Sequence, residues 1–255
     1  MTDLSRRVAV VTGAGTGIGR AIALRLSACG ASVALLGRTR GTLEAVAGEA
    51  KGKTRVIPCD VQERASVDGA FAEVARTLGR PHVVVANAGI GGPNDLGGGD
   101  RWDAIVRTNL DGAYFTLRAF EAQLAASAGY THAIVISSCV ARFGVAGISA
   151  YSAAKAGQLG LVRSLAAELA PKKVLVNAIC PGWVETQMAV DRMTEIGEGM
   201  GKDYRATKAE LLAGVPLQRI SEPEEVAALV EFLCGPGGVS FTGQAFDPNN
   251  GAWMG

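Results

Sequence analysis

Six short apolar runs rich in Val, Ile, Leu and Ala recur along the chain: RVAVVT (residues 7–12), SVALLG (32–37), RVIPCD (55–60), HVVVANAG (82–89), HAIVISS (132–138) and VLVNAICPG (174–182). Each is nearly continuous in its apolar character, as suits a strand covered on both faces of a parallel sheet. Helical patterns stand between them. GIGRAIALRLSACG follows the first run with Ile22, Leu26 and Cys29 on one side and Gly30 closing it, and further helical patterns cover residues 40–50, 63–78, 100–126 and 151–170. Strict alternation of this kind predicts an α/β fold, a doubly wound parallel sheet of about seven strands with helices on both faces and right-handed crossovers. The seventh strand is the short GQAFD near the end, after a helix beginning near Glu222. No linker interrupts the pattern, so residues 1–255 are expected to form a single domain, with one polar, Met-rich insertion at 185–213.

The turn that ends the first run is TGAGTGIG, residues 12–19, and a helix opens inside it. Gly13, Gly17 and Gly19 let the backbone turn sharply and approach a ligand, while free N–H groups at a helix start favour a pyrophosphate. The spacing differs from G-x-G-x-x-G, but strand, glycine turn and helix come in the order that a dinucleotide site requires. In such Rossmann sites an acidic residue after the second strand holds the ribose of NAD. Here Gly37 takes that place and Arg38 follows, with Thr39 and Arg40 next. A guanidinium grips a 2′-phosphate where a carboxylate would repel it, so NADP(H) is favoured over NAD(H). Asp60, ending the third run, is expected either to meet the adenine or to cap the next helix.

Taken together, TGAGTGIG, ANAG (residues 86–89), Asn109 in RTNLDGAYF, Ser138 in ISS, Tyr151 and Lys155 in YSAAK, and PGWVET (181–186) resemble the short-chain dehydrogenase/reductase family over nearly the whole chain. The resemblance implies a single-domain Rossmann fold and a set of four catalytic residues, Asn109, Ser138, Tyr151 and Lys155. It also implies cofactor contacts from Gly13, Thr16, Gly17, Ile18, Gly19, Arg38, Thr39, Asp60, Val61, Asn87, Ala88, Gly89, Tyr151, Lys155, Pro181, Gly182, Val184 and Thr186. The implied reaction passes a hydride between NADP(H) and a carbonyl carbon while Tyr151 exchanges a proton with the oxygen. Ser138 would hydrogen-bond that oxygen, Lys155 would hold the nicotinamide ribose, and Asn109 would order a water relay behind it.

A phenol of pKa about 10 is a slow proton donor or acceptor at neutral pH. Lowering it by about three units needs roughly 4 kcal/mol, which a cation about 4 Å away supplies at an effective dielectric near 20. Lys155, four residues after Tyr151 on a helix, is expected to be that cation.

The insertion is similar to the substrate segment of 3-oxoacyl-carrier-protein reductases and aromatic-polyketide ketoreductases. Trp183, Met188, Met193 and Met200 offer an adaptable apolar surface, or else pack within their own domain. With Ser138 and Tyr151, the first three are the expected substrate contacts. The substrate would be a moderately hydrophobic ketone or its alcohol, with a carrier-protein or CoA thioester less favoured: Lys172 and Lys173 follow the YSAAK helix, but SAGYTH before the fifth run has no Lys or Arg. Two departures stand out. Ala86 replaces the first Asn of the usual motif, and FTGQAFDPNNGAWMG matches the family ending only loosely, with Asn250 where Gly is common.

Formal charge is +1, with 25 basic against 24 acidic residues, and gives no electrostatic reason for nucleic acid or an anionic membrane as partner. No apolar run nears the roughly 18 residues of a membrane span, and MTDLSRR lacks a signal peptide's apolar stretch. Five cysteines stand singly, and His82 and His132 lack metal-like spacing, so no metal site is expected. The cytoplasm is the expected compartment. The family also implies a homotetramer, with a seam along the long helices that include LVRSLAAELA. Competing readings are an NAD-dependent alcohol dehydrogenase, a nucleotide-sugar epimerase or dehydratase, for which the chain has no room for a larger substrate domain, and a non-catalytic NADP(H) sensor.

Overall fold

Val8–Thr12 forms β1, and its side chains are buried to both sides. In the computed structural model, which describes residues 2–94, 99–124 and 129–255, β1 pairs in parallel with two neighbours. One is β2 (Ser32–Gly37) and the other β4 (Val83–Ala86), so the second neighbour lies two strands further on in sequence than the first. With β3 (Thr54–Pro58), β5 (Thr131–Ile136), β6 (Val174–Ile179) and β7 (Ala245–Phe246), the described residues make one sheet in the order β3-β2-β1-β4-β5-β6-β7. Every pairing is parallel, as the alternating pattern predicts.

Alternate strand residues feed two separate cores, which is why the strands read as unbroken apolar runs. Ala9, Val11 and Leu35 lie under α1 (Gly17–Ala28), α2 (Arg40–Glu49) and α9 (Pro223–Cys234), against Ile22, Leu26, Leu43 and Val230. Val10, Leu36 and Val84 face the other way. They meet Phe71 and Val74 of α3 (Arg64–Thr77), Phe120 of α5 (Gly112–Ala122), and Leu165 and Leu169 of α6 (Ser149–Leu169). Fully burying one such side chain is worth about 1.5–3 kcal/mol, so two apolar faces per strand dominate the stability.

The stretch 100–126, expected as one helix, is broken. It comprises α4 (Trp102–Val106), a π turn (Arg107–Asp111) and then α5, while Ala125 and Ala126 lie outside the described residues. Asn109 sits in the π turn. The insertion at 185–213 is helical: α7 (Gln187–Met200) is capped by Thr186 and stopped by Gly201 in the left-handed region, and α8 (Tyr204–Ala213) is capped by Asp203. Asn250 adopts a left-handed backbone, φ 56°, so Asn does here what Gly would do. Among the described residues no helix is long and apolar enough to cross a membrane.

All five cysteines are buried free thiols. His82 accepts the Val8 N–H at Nδ1 (3.2 Å). His132 is buried in β5, and desolvation, helped by the Arg7 charge, pushes its pKa down from 6.5 to about 4. Between these values the unfolded chain binds a proton that the folded chain refuses, so stability is complete above pH 6.5 and falls as the pH drops toward 4. Denaturant midpoints measured from pH 7 to 4 should show His132→Gln losing less stability than the native protein, by roughly 3 kcal/mol across the window. Parallel pH curves for the two proteins would contradict the buried neutral imidazole.

Candidate active site

The end of β1 and the end of β4 are laced together. Thr12 Oγ1 accepts the N–H groups of Asn87 (3.0 Å) and Ala88 (3.1 Å), and Asn87 Nδ2 donates to the Thr12 carbonyl (3.0 Å) and the Gly13 carbonyl (3.3 Å). The approach leaves no room for side chains. A Cβ on Gly13, where φ is +65°, would lie 2.9 Å from Ala88 Cα, and one on Gly19 would collide with the Gly13 carbonyl and lie 2.5 Å from Asn87 Nδ2. The first turn of α1 carries no acidic residue, and Thr16 at its N-cap makes no side-chain cap, so the N–H groups there remain for an anion.

A cleft runs outward from this turn over the carboxyl ends of the strands, where the order reverses between β1 and β4. Gly13, Thr16, Gly17, Ile18 and Gly19 line its inner end. Arg38, Thr39, Asp60 and Val61 line one side, and Asn87, Ala88, Gly89, Tyr151, Lys155 and Thr186 the other. Among the described residues Arg38 has no carboxylate partner, whereas Arg40 is paired with Glu44 (3.4 Å) and does not line the cleft. Asp60 accepts the Gln62 N–H (3.0 Å), and Glu63, not Asp60, occupies the N-cap of α3. The residues therefore fit a dinucleotide: bare N–H groups at the inner end and an unpaired guanidinium beyond β2.

At the other end of the cleft, α6 delivers Tyr151 and Lys155 one turn apart. Lys155 is 3% exposed and its Nζ donates to the Ile136 carbonyl (2.8 Å). Asn109 is fully buried. Its Nδ2 donates to the carbonyls of Ile90 (2.8 Å) and Ile105 (2.9 Å), while Oδ1 finds no protein partner. The position a Cβ would take on Gly89 lies 2.5 Å from Asn109 Oδ1 and 3.6 Å from Lys155 Nζ, so the orphan acceptor and the ammonium face one spot. Asn109 Oδ1 is thus left without a protein donor in the neighbourhood of Lys155.

The electrostatics differ from the sequence expectation. Burial pushes the Tyr151 phenol up to about 12, opposed by its side-chain hydrogen bond with Ser138, and burial pushes Lys155 down to about 8. The ammonium lies 5.5 Å from the centroid of the Tyr151 ring, beside its face, and its hydrogen bond goes to the strand. In this geometry desolvation is the largest influence on the phenol and holds it in its neutral form at neutral pH.

A second cavity, about 750 Å³, opens on the far side of Tyr151. That volume falls within the roughly 300–1,000 Å³ of small-molecule sites. Ser138, Tyr151, Trp183 and Met188 line it with Val145, Ile148 and Ile196. Pro181, Gly182 and Val184, expected at the cofactor, line this cavity, while Thr186 of the same segment lines the cleft as well. Met193 corrects the other expectation: it is fully buried and lines neither cavity, since it occupies the inward side of α7. Tyr151, Ile18, Thr186 and Met188 border both spaces.

Two polar neighbours escaped the sequence reading. Ser137 Oγ donates to the Lys155 carbonyl (3.0 Å), and Gln158 Nε2 donates to the Asn109 carbonyl (2.7 Å) in the π turn. The signal for Gln158 was available, a polar side chain three residues after Lys155 on the buried side of α6.

A family model described as enoyl-(acyl carrier protein) reductase matches residues 13–252. The short-chain reductase protein NovJ of Streptomyces niveus is 38% identical over 250 residues, covering 96% of this chain and 93% of that protein. The 3-oxoacyl-[acyl-carrier-protein] reductase FabG of Pseudomonas aeruginosa is 35% identical and covers 99% of both chains. A crystal structure of an actinorhodin polyketide ketoreductase variant with NADPH superposes with a TM-score of 0.90 at 32% identity, over 99% of each chain.

The glycine turn offers a direct check. Gly19→Ala should weaken NADPH binding about tenfold or more, because the added carbon must push the Gly13 carbonyl and Asn87 apart. Fluorescence titration reads the affinity, and a native Kd would show that this turn does not hold the nucleotide.

Proposed function

Because the chain belongs to the short-chain dehydrogenase/reductase family of oxidoreductases, we propose that it is an NADP(H)-dependent ketoreductase that interconverts a moderately hydrophobic or β-ketoacyl-type ketone and its secondary alcohol. The observation that carries this reading is the position of Tyr151, on the wall shared by the cleft and the apolar cavity, with Ser138 lining the same cavity and Lys155 beside its ring. Fold and family alone would not choose among chemistries.

When bound, the reduced nicotinamide supplies a hydride to the carbonyl carbon. The chain's own residues handle the oxygen. Ser138 hydrogen-bonds it and stabilises the charge that develops there. Tyr151, held protonated by burial, passes its phenolic proton to the same oxygen, and the phenolate left behind then faces the Lys155 ammonium. Asn109, whose unpartnered Oδ1 lies near Gly89 and Lys155, orders a water that returns the proton in this reading. In the reverse direction the same groups act, Tyr151 as phenolate taking the proton from the alcohol oxygen.

The apolar lining of the cavity supports a hydrophobic substrate, and the names of the carrier-protein and polyketide relatives support a β-ketoacyl group. Residues 185–213 act as the substrate lid of the single domain: Met188 and Ile196 of α7 reach the cavity, and Glu185 anchors α8 through Tyr204 (3.2 Å) and Lys208. A thioester on a carrier protein is less favoured, since Lys172 is engaged with Glu121 (2.7 Å). The proposed working form is a cytoplasmic homotetramer, supported by exposed aromatic side chains such as Tyr114 on α5 and Phe232 on α9.

The test is NADPH oxidation with a panel of β-ketoacyl thioesters, cyclic ketones and aryl ketones. Tyr151→Phe should abolish turnover while leaving NADPH affinity within about threefold of native; retained turnover would remove Tyr151 as the acid. Arg38→Asp should move the preference toward NADH by at least about tenfold in kcat/KM. An unchanged NADPH/NADH ratio would take Arg38 out of the phosphate site.

A further inference from the structure

The C-terminal residues match the family ending only loosely, yet they are firmly held. Asn249 is buried, with Nδ2 donating to the Trp253 carbonyl (3.1 Å) and Oδ1 accepting the Gly251 N–H (2.9 Å). Gly182 backs directly onto it: its N–H donates to the Pro248 carbonyl (3.3 Å), and a Cβ on Gly182 would lie 3.1 Å from Asn249 Cα. Ala252, next to Trp253, lines the apolar cavity. The end of the chain is thus one wall of that cavity.

Arg142 ties this wall to Ser138. A short 3-10 turn, Cys139–Ala141, begins directly after Ser138 and ends at Arg142. Arg142 Nε donates to Asp247 Oδ1 (3.2 Å), and one terminal nitrogen donates to Asp247 Oδ2 (2.9 Å) and the Ala245 carbonyl (3.3 Å). The guanidinium also lies 4.8 Å from the centre of the Trp253 ring. Only a planar fork makes a bidentate carboxylate pair, a carbonyl bond and a stack at once. The side chains of Arg142 and Asp247 are 20% and 18% exposed, so the pair is partly shielded from water and held by both strand and turn.

We propose that Arg142 is a positioning residue for the reaction: clamped between Asp247 and Trp253, it fixes the Ser138 turn against the C-terminal wall and so aims the Ser138 hydroxyl at the reacting oxygen. The inference rests on the reading of Ser138 and Tyr151 given above. Neither Arg142 nor Asp247 lines the nucleotide cleft or the apolar cavity itself; the clamp reaches the cavity through Ser138, Cys139 and Val140 of the turn and Ala252 of the C-terminal wall.

A double-mutant cycle tests it. Asp247→Asn keeps shape while removing the charge, and Arg142→Lys keeps the charge while removing the fork. Each should lower kcat for the ketone about tenfold to a hundredfold, with NADPH affinity unchanged, as expected for a misaligned group. In a Ser138→Ala background the same substitutions should cost no more than about twofold, because the group they aim is gone. A purely structural role would lower the melting temperature and give the same loss in both backgrounds. The proposal is overturned if folded Asp247→Asn keeps kcat within about twofold of native, or if its loss is equal with and without Ser138. Should the Asp247 and Arg142 variants fail to fold, Trp253→Leu removes only the stack and is read by the same cycle. Failure of the underlying reading shows separately, as native kcat in Ser138→Ala or Tyr151→Phe.

Discussion

β1 is hydrogen-bonded to β2 on one side and to β4 on the other, and the connections from these strands leave on opposite faces of the sheet. That split opens a crevice which no side chain fills, because the glycine turn and Asn87 bring two backbones into contact there. The residues of the candidate site are arranged around this crevice. The helix start of α1 offers N–H groups to it, Arg38 reaches it from β2, and α6 brings Tyr151 and Lys155 to its far end. Without close backbone packing at Gly13 and Gly19, the two halves of the site would not share one cleft.

Burial is the second determinant. The simplest picture of a Tyr and a Lys four residues apart is an ion pair in the making, with the cation drawing a proton off the phenol. Within this fold the balance goes the other way. Both groups are desolvated, the ammonium bonds to a strand carbonyl and lies beside the ring, and each group is driven toward its neutral form. A neutral phenol on the wall of the cavity beside Ser138 is a proton donor for a developing oxyanion under the proposed function. The π turn has a related logic: a widened helical turn is irregular, and here its Asn109 carbonyl is held by Gln158 while its side chain faces Lys155.

The substrate side is assembled from chain segments distant in sequence. The turn after β5, the loop after β6, α7 and the C-terminal residues all meet at one apolar cavity. Such walls have no shared periodicity. Their mutual position rests on a few polar ties, Arg142 to Asp247 and Glu185 to α8 among them.

Most of the fold was legible in the chain because parallel strands buried on both faces need continuous apolar runs, and TGAGTGIG needs its glycines wherever backbones touch. Gly13 and Gly19 were identifiable for that reason, whereas Tyr151 and Lys155 stood out by their resemblance to the family motif in YSAAK. What depended on distant contacts was not legible. Met193 has the composition of a substrate contact, yet the inward side of α7 buries it, and the loop after β6, whose Pro181, Gly182 and Val184 line the second cavity, packs on Asn249 and bonds to Pro248 from the far end of the chain. The break at Asn109, the direction of both pKa shifts and the Arg142 clamp were likewise decided by tertiary structure. Periodicity encodes which side of an element is apolar, whereas desolvation and pairing depend on what the rest of the chain places opposite.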